Sequence, residues 1–189
     1  VAPSRGLGDV YKRQTWMRGN AGMQKRILII NTGGTLSSVK GCNGLVPGMS
    51  SGDMLEELRM VSRNLELEAE DFCSLDSSNI GPEDWTGLAK LIAKRSYDYD
   101  GIVVIHGTDT LAYTSAMLSF MLQNISIPVV VTGSQLSIAN PVADALENCR
   151  CGIHMAASGY PGVFVAFNRK VILLSLIHIS EPTRRSYIS

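Results

Sequence analysis

The residues best suited to chemistry stand in short polar turns that follow apolar runs. The first such turn, Thr32-Gly33-Gly34-Thr35, comes directly after the apolar run 26–31. Glycines let a ligand approach the main chain closely, and their amide hydrogens can hold an oxyanion or another anion. A threonine hydroxyl acts as a nucleophile only when another group removes its proton. Taken alone, the turn fits three interpretations: a nucleophile beside an oxyanion site, an anion site outside the common glycine-rich phosphate motifs, or a simple strand-to-loop turn.

A second polar turn, "HGTDT" at 106–110, follows another apolar run at 101–105. Thr108 adds a hydroxyl, and Asp109 adds a carboxylate that can bind an ammonium group or orient a lysine. A structural alternative is that Asp109 caps the N-terminus of the following helix. We expect His106, at a strand end, to be packed inside the protein rather than to act as a base. The spacing predicts that two threonines, one from each turn, lie in one site with Asp109.

The elements that must position these turns alternate along the chain. Strands are predicted at 26–31, 65–75, 101–107, 127–134 and 162–168, and helices at 50–61, 81–100, 110–124 and 141–158. This order predicts an α/β domain, Rossmann-like or flavodoxin-like, with a mostly parallel sheet flanked by helices. Ligands bind beyond the carboxyl ends of the strands of such sheets. The two turns should therefore share one side of the sheet with two more polar turns, "LDSSN" at 75–79 and "TGSQ" at 132–135.

Three of these elements carry more specific expectations. The strand 65–75 should be less buried, because acidic and apolar residues alternate over its first half. The helix 110–124 is mostly apolar and should be covered on more than one side. The last helix should begin at Pro141, since proline favours the first helical position.

Composition narrows the classes of function. The chain has 189 residues, of which 45% are hydrophobic and 18% charged, with a formal net charge of zero. It can bury a core, and nothing in its charge calls for nucleic acid or an anionic membrane as a partner. Its four cysteines are too few for a disulfide framework, and we expect Cys149 and Cys151 to be small residues on a helix rather than metal ligands. No metal or cofactor is predicted, and no apolar run is long enough to span a membrane.

Four segments of the chain resemble the bacterial L-asparaginases, especially their cytoplasmic type I branch. They occur in the family's order within roughly residues 25–172 and read "INTGGTLSS", "LDSSNIGPEDW", "YDYDGIVVIHGTDTLAYTSAMLSFML" and "PVVVTGSQ". The pairing of TGGT with HGTDT, each after a buried strand, makes the resemblance specific, whereas either motif alone would not.

The resemblance implies hydrolysis of L-asparagine to L-aspartate and ammonia through an acyl-enzyme. By motif, Thr35 is the primary nucleophile, and Thr108 belongs to a second catalytic group with Asp109 and a lysine. Amide hydrogens near Gly34 and Thr108 would hold the oxyanion. Asp109 would also bind the substrate's α-ammonium group. The loop that contains Asp76, Ser77 and Ser78 would bind its α-carboxylate.

The chain departs from the family pattern in three respects. The family's Arg-x-x-Lys stretch is replaced by "LLSLIHIS", and Lys170 belongs to the preceding strand motif, so the catalytic lysine is absent. Leu45 stands where many members have a tyrosine that assists the first threonine, although glycines 41, 44 and 48 fit a mobile lid. The family's second, smaller domain is missing. These departures predict that the 189-residue chain is inactive or nearly so.

Both ends of the chain resemble translated sequencing-adapter strings. Residues 1–22 are therefore predicted to be a non-native extension, 23–172 an asparaginase N-terminal domain, and 173–189 a non-native tail. The resemblance further implies a cytoplasmic protein whose full-length relatives form homodimers or homotetramers. Three alternatives stay open: the asparaginase-like subunit of an archaeal tRNA amidotransferase, a preference for glutamine, and a non-catalytic module that binds an amino acid.

Overall fold

The computed structural model describes residues 24–33, 55–56, 58–59, 62–135 and 144–174, and the backbone alone at 38–41 and 44–47. Its elements in chain order are β1 (Arg26–Gly33), β2 (Ser38–Gly41), β3 (Gly44–Pro47), β4 (Glu66–Leu75), a 3₁₀ turn (Ser77–Asn79), α1 (Pro82–Arg95), β5 (Gly101–Ile105), α2 (Leu111–Met121), β6 (Pro128–Thr132), α3 (Ala145–Ala156), β7 (Gly162–Phe167) and β8 (Lys170–Leu174).

Six strands form one mixed sheet in the order β4-β1-β5-β6-β7-β8. All neighbours pair in parallel except β7 and β8, which are antiparallel. Numbered by themselves, the five parallel strands lie in the order 2-1-3-4-5, which is the flavodoxin-like arrangement. Its switch point falls between β1 and β5. The predicted α/β fold is confirmed, and the switch point selects the TGGT and HGTDT turns as the expected ligand site.

Helices cover both faces of this sheet, as expected for strands that are continuous apolar runs. Alternate residues of β1, β5 and β6 point to a cluster with α1 and α2 on one face, and to a cluster with α3 on the other. Leu58 is fully buried in the second cluster. It is helical together with Leu55, Glu56 and Arg59, which agrees with the helix predicted at 50–61 as far as these residues are described.

Strand β4 forms one edge of the sheet and is less buried than the central strands, as predicted. Its three glutamates, at alternate positions on one face, pair with arginines. Glu68 accepts hydrogen bonds from the Arg26 guanidinium and the Tyr99 hydroxyl, each at 2.6 Å. Burial and the bond to Glu68 raise the pKa of Tyr99 to about 12. These contacts tie the edge strand to β1 and to the chain that enters β5.

Two helix predictions were wrong in detail. Helix α2 buries one stripe of its surface, and on the other side Tyr113 and Phe120 are 66% and 50% exposed. Its apolar residues are spread around the helix, so composition overestimated how much of it the sheet and α1 cover. Helix α3 begins at Ala145 rather than Pro141, because Asp144 precedes it in a bend. The predicted lid segment contains the β2–β3 hairpin, including Leu45 in β3.

Strand β8 was not predicted, and it forms a tight hairpin with β7. The two residues between the paired Phe167 and Lys170 are Asn168 and Arg169, with φ of 49° and 60°. Two consecutive positive φ angles define a type I′ turn, for which Asn-Gly is the preferred sequence. Arginine is therefore strained here, although its side chain pairs with Glu147 at 3.3 Å.

Replacing Arg169 with glycine should stabilise the protein by about 0.5 kcal/mol. Relief of left-handed strain, about 1–2 kcal/mol, outweighs the greater flexibility of glycine in the unfolded chain and the loss of one exposed ion pair. Urea denaturation measures the change. The matched control is Arg169→Ala, which loses the ion pair but keeps the strain and should be no more stable than the starting protein. Equal stability of the two variants would contradict this explanation.

Candidate active site

The turns after β1 and β5 meet at the switch point of the sheet. The Thr32 hydroxyl donates a hydrogen bond of 2.9 Å to the Ile105 carbonyl and is 1% exposed. This hydroxyl braces the two turns against each other and is not free to act as a nucleophile. Gly34 and Thr35, to which the sequence assigns oxyanion binding and attack, lie outside the described residues.

The structure gives Gly33 a different role from the one expected. Its amide donates to the Asn31 side-chain oxygen at 3.1 Å, and the Asn31 amide group donates to Asp71 at 2.9 Å. A Cβ on Gly33 would lie 2.5 Å from the Leu75 carbonyl oxygen, and its φ is +97°. The expectation that this amide hydrogen faces a ligand is therefore wrong. Glycine is required because β4 passes too close for a side chain.

The HGTDT turn is held at both of its ends. The His106 amide donates to the Thr132 carbonyl at 2.8 Å, and the imidazole is fully buried. The Thr110 hydroxyl donates to the Ser77 carbonyl at 2.7 Å, which joins this turn to the LDSSN turn. His106 is thus a packed histidine, as predicted. The alternative in which Asp109 caps α2 is wrong, because Thr110 is the residue that precedes the helix.

In the LDSSN turn, Asp76 organises the backbone. Its carboxylate accepts the Ser78 hydroxyl at 2.5 Å and the Ser78 amide at 2.9 Å. Both hydrogen bonds lower the pKa of Asp76 below its ordinary value, and the bond from the Ser78 hydroxyl has the larger effect. The fold of this short turn leaves Ser77 only 2% exposed, directly beneath Thr110.

The TGSQ turn is anchored by residues that sequence reasoning did not identify. The Ser134 hydroxyl donates to Asp144 at 2.5 Å, and the Asn148 amide donates to Asp144 at 2.8 Å and to the Gly133 carbonyl at 3.0 Å. Asn148 also accepts the Asn168 amide at 2.9 Å. The sequence did contain one signal for this anchor: an asparagine, Asn148, stands on the apolar face of α3, and a buried amide group needs hydrogen-bond partners.

Among the hydroxyl and carboxylate side chains of these turns, three are unpaired within the described residues: Ser77, Thr108 and Asp109. By contrast, the other hydroxyls of the four turns that the structure describes are engaged within the protein. Buried and turn hydroxyls normally find partners, so unpaired ones at a switch point are available to a ligand. The group offers two hydroxyls and one exposed carboxylate on two turns that one hydrogen bond joins.

This arrangement suits a small zwitterion better than a metal ion. In the described part of the chain, no three His, Cys, Asp or Glu side chains lie close enough to hold a metal. Cys149 is buried on α3, as expected, and Cys73, Cys149 and Cys151 are free thiols. None of the described helices has the length and apolarity needed to cross a membrane.

Known proteins are similar to this chain in sequence. The family model described as "Asparaginase, N-terminal" matches residues 26–181. An L-asparaginase from Thermococcus kodakarensis is 44% identical over 150 residues, and L-asparaginase 1 from Escherichia coli K12 is 39% identical over 158 residues. The matches cover 78% and 79% of this chain but 45% and 46% of those relatives, so the chain spans less than half their length.

One solved structure and one less similar relative extend this comparison. The solved thermostable L-asparaginase from Thermococcus kodakarensis superposes with a TM-score of 0.72, covering 78% of this chain and 45% of that one at 44% identity. A glutamyl-tRNA(Gln) amidotransferase subunit from Thermoplasma acidophilum is 33% identical over 135 residues, covering 71% of this chain and 33% of that protein. The chain therefore belongs to the asparaginase family and corresponds to its N-terminal domain.

Proposed function

We propose that this chain supplies the half of an L-asparaginase that binds the amino acid and carries the nucleophile. The observation that carries the proposal is the group of Ser77, Thr108 and Asp109 at the switch point of the sheet, whose side chains are unpaired among the described residues. An amino acid presents one ammonium and one carboxylate, and this group presents one carboxylate and two hydroxyls that can donate. Membership of the asparaginase family supports L-asparagine as the amino acid.

Each residue then has a definite role. Asp109 binds the α-ammonium group, because its carboxylate is exposed and unpaired among the described residues. Ser77 donates its hydroxyl to the α-carboxylate, and Ser78 lies next to it. Asp76 acts indirectly, because its carboxylate is held by Ser78 and shapes the turn. Thr108 lies beside Asp109, where its hydroxyl can reach the side-chain amide.

In the proposed reaction the Thr35 oxygen attacks the side-chain amide carbon of L-asparagine. The C–N bond breaks, and the nitrogen leaves as ammonia after taking up a proton, so an ester joins Thr35 to the aspartyl group. Water then cleaves this ester and releases L-aspartate. The amides of Gly34 and Thr108 are proposed to hold the oxyanion, which in acyl-transfer enzymes contributes about 3 kcal/mol per donor. Cytoplasmic location and assembly into homodimers or homotetramers belong to the same proposal.

The similarity to the amidotransferase subunit supports one alternative, in which the same turns release ammonia for a partner protein. A non-catalytic amino-acid-binding module is a second alternative, and a preference for glutamine is a third. Ammonia release from L-asparagine without any partner protein separates hydrolysis from the first two, and comparison with L-glutamine settles the preference.

Binding of L-aspartate, the product, tests the amino-acid site without requiring turnover. Isothermal titration should detect binding, and Asp109→Asn should weaken it about 30-fold, because a hydrogen bond to a charged group contributes about 2 kcal/mol. Asp98→Asn is the matched control: it also removes one exposed carboxylate, but it lies before β5, at the opposite end of that strand. Equal binding by both variants would exclude Asp109 as the ammonium partner.

A further inference from the structure

A chain of hydrogen bonds links two helices to the HGTDT turn. The Trp85 indole nitrogen in α1 donates to the Thr114 hydroxyl in α2 at 2.9 Å. The Thr114 hydroxyl lies 2.8 Å from Nε2 of His106, and Nδ1 of His106 lies 2.7 Å from the Gly107 carbonyl oxygen. His106 and Thr114 are both fully buried. The proposed chemistry uses none of these three side chains.

The direction of every bond follows from the two ends of the chain. A carbonyl oxygen can only accept, so Nδ1 of His106 carries the proton that it donates to Gly107, and in a neutral ring Nε2 is the unprotonated nitrogen. Thr114 therefore donates its hydroxyl hydrogen to Nε2, and its oxygen accepts from the Trp85 indole, which can only donate. Burial lowers the pKa of His106, which agrees with a neutral ring. The network thus specifies a single tautomer.

The position of this histidine determines where the turn begins. Its amide bonds to Thr132 at the end of β6, and the next residue, Gly133, passes so close to the His106 carbonyl oxygen that a Cβ there would clash with it. The end of β6 therefore also constrains the His106 backbone. The next fixed point along the chain is Thr110, bonded to Ser77. Residues 107–109 lie between these two fixed residues, His106 and Thr110. The bond from the imidazole to the Gly107 carbonyl is the side-chain contact that orients the first peptide of this span.

We infer that Trp85, Thr114 and His106 are positioning residues that orient the Gly107 carbonyl and thereby place Thr108 and Asp109 for an amino-acid ligand. The ligand part of this inference rests on the proposed function, whereas the positioning of the turn does not. The competing explanation is that the three side chains only fill space between the helices. Apolar groups of the same shape would then serve equally well.

Thr114 allows the two explanations to be separated. Thr114→Val keeps the shape and removes the hydroxyl, whereas Thr114→Ser keeps the hydroxyl and removes a methyl group. Trp85→Phe removes the first donor from the other end of the chain. The matched control is Ser115→Ala. Ser115 is a buried hydroxyl on the same helix, and among the described residues it bonds only within that helix, to the Leu111 carbonyl.

Nuclear magnetic resonance of the 189-residue chain tests the network directly. With ¹⁵N-labelled histidine, the His106 ring, identified by its loss in His106→Gln, should show a protonated Nδ1 and an unprotonated Nε2 at pH 7. Thr114→Val should leave Nδ1 protonated but shift the Nε2 resonance, because the hydrogen-bond donor to Nε2 is lost, and it should shift the backbone amides of residues 107–109. Thr114→Ser and Ser115→Ala should preserve all of these resonances. A protonated Nε2 in the unsubstituted chain, or unshifted amides in Thr114→Val, would overturn the inference.

Titration with L-aspartate measures the consequence for binding. Thr114→Val and Trp85→Phe should each weaken binding about tenfold, and Thr114→Ser and Ser115→Ala should stay within about twofold. Folded Thr114→Val that binds as tightly as the unsubstituted chain would overturn the ligand part. If the unsubstituted chain binds no L-aspartate, the proposed function fails, and the tautomer and amide shifts still decide whether these residues position the turn.

Discussion

Gly33→Ala is expected to lower the free energy of unfolding by about 3 kcal/mol, a large part of the total stability of a domain of this size. Two costs combine at this position. A residue with a Cβ is strained by about 1–2 kcal/mol at the φ of +97°, and overpacking costs about 1–3 kcal/mol more. The Cβ would meet the oxygen and nitrogen of Leu75 at 2.5 and 2.8 Å, and these backbone atoms cannot rotate away as a side chain can.

Urea denaturation of Gly33→Ala beside Gly81→Ala measures this effect. Gly81 has no atom within 4 Å of an added Cβ, and its φ of −126° is open to any residue, so its replacement should cost at most about 1 kcal/mol, the usual loss when alanine takes the position that precedes a helix. Near-equal midpoints for the two variants would mean that β4 does not hold Gly33 in place. L-aspartate binding by folded Gly33→Ala protein would then show whether the substitution moves the TGGT turn enough to disturb the proposed amino-acid site.

The sheet could be predicted from the sequence because its central strands are unbroken runs of β-branched residues. Runs such as 101–105 and 128–131 have no helical periodicity and end at polar turns, so they are predicted to be strands. Strands that alternate with helices in this order can form only a few sheet topologies. The rule that ligands bind beyond the carboxyl ends of parallel strands then selected the turns that meet at the switch point of the observed sheet. This reasoning needs only local pattern, and the fold bears it out.

Local pattern could not show which hydroxyl has a partner. Thr32 and Thr108 look equivalent in the sequence, yet Thr32 is bonded to Ile105 and Thr108 is unpaired among the described residues. The same limit hid Asn31, whose partner Asp71 lies 40 residues away in the chain. The pairing of Asn31 with Asp71 depends on the register of β1 against β4, which shifts between Asn31 and Gly33. Residues 170–174 were missed because an Asn-Arg turn is an unusual hairpin sequence.

Loss of the Thr35 hydroxyl is the prediction with the largest expected effect on activity. The test uses the chain extended after Leu174 with the following part of the Thermococcus kodakarensis L-asparaginase, because the chain spans 45% of that relative. The 189-residue chain serves as the baseline. The extended protein should release ammonia from L-asparagine, and Thr35→Ala should reduce kcat at least about 10³-fold, since Thr35 alone forms the acyl-enzyme in the proposed reaction.

Three further variants make the result specific to a nucleophile. Thr35→Ser keeps a hydroxyl and should retain measurable turnover. Thr32→Val is the matched control, because it removes a neighbouring hydroxyl that the structure shows bonded to Ile105, and its kcat should fall by less than about tenfold. Thr108→Val should also reduce kcat, while mass spectrometry should find the trapped aspartyl ester on Thr35. If Thr35→Ala keeps its turnover and the ester forms on Thr108 instead, the turn after β5 carries the nucleophile and the roles of the two threonines are exchanged.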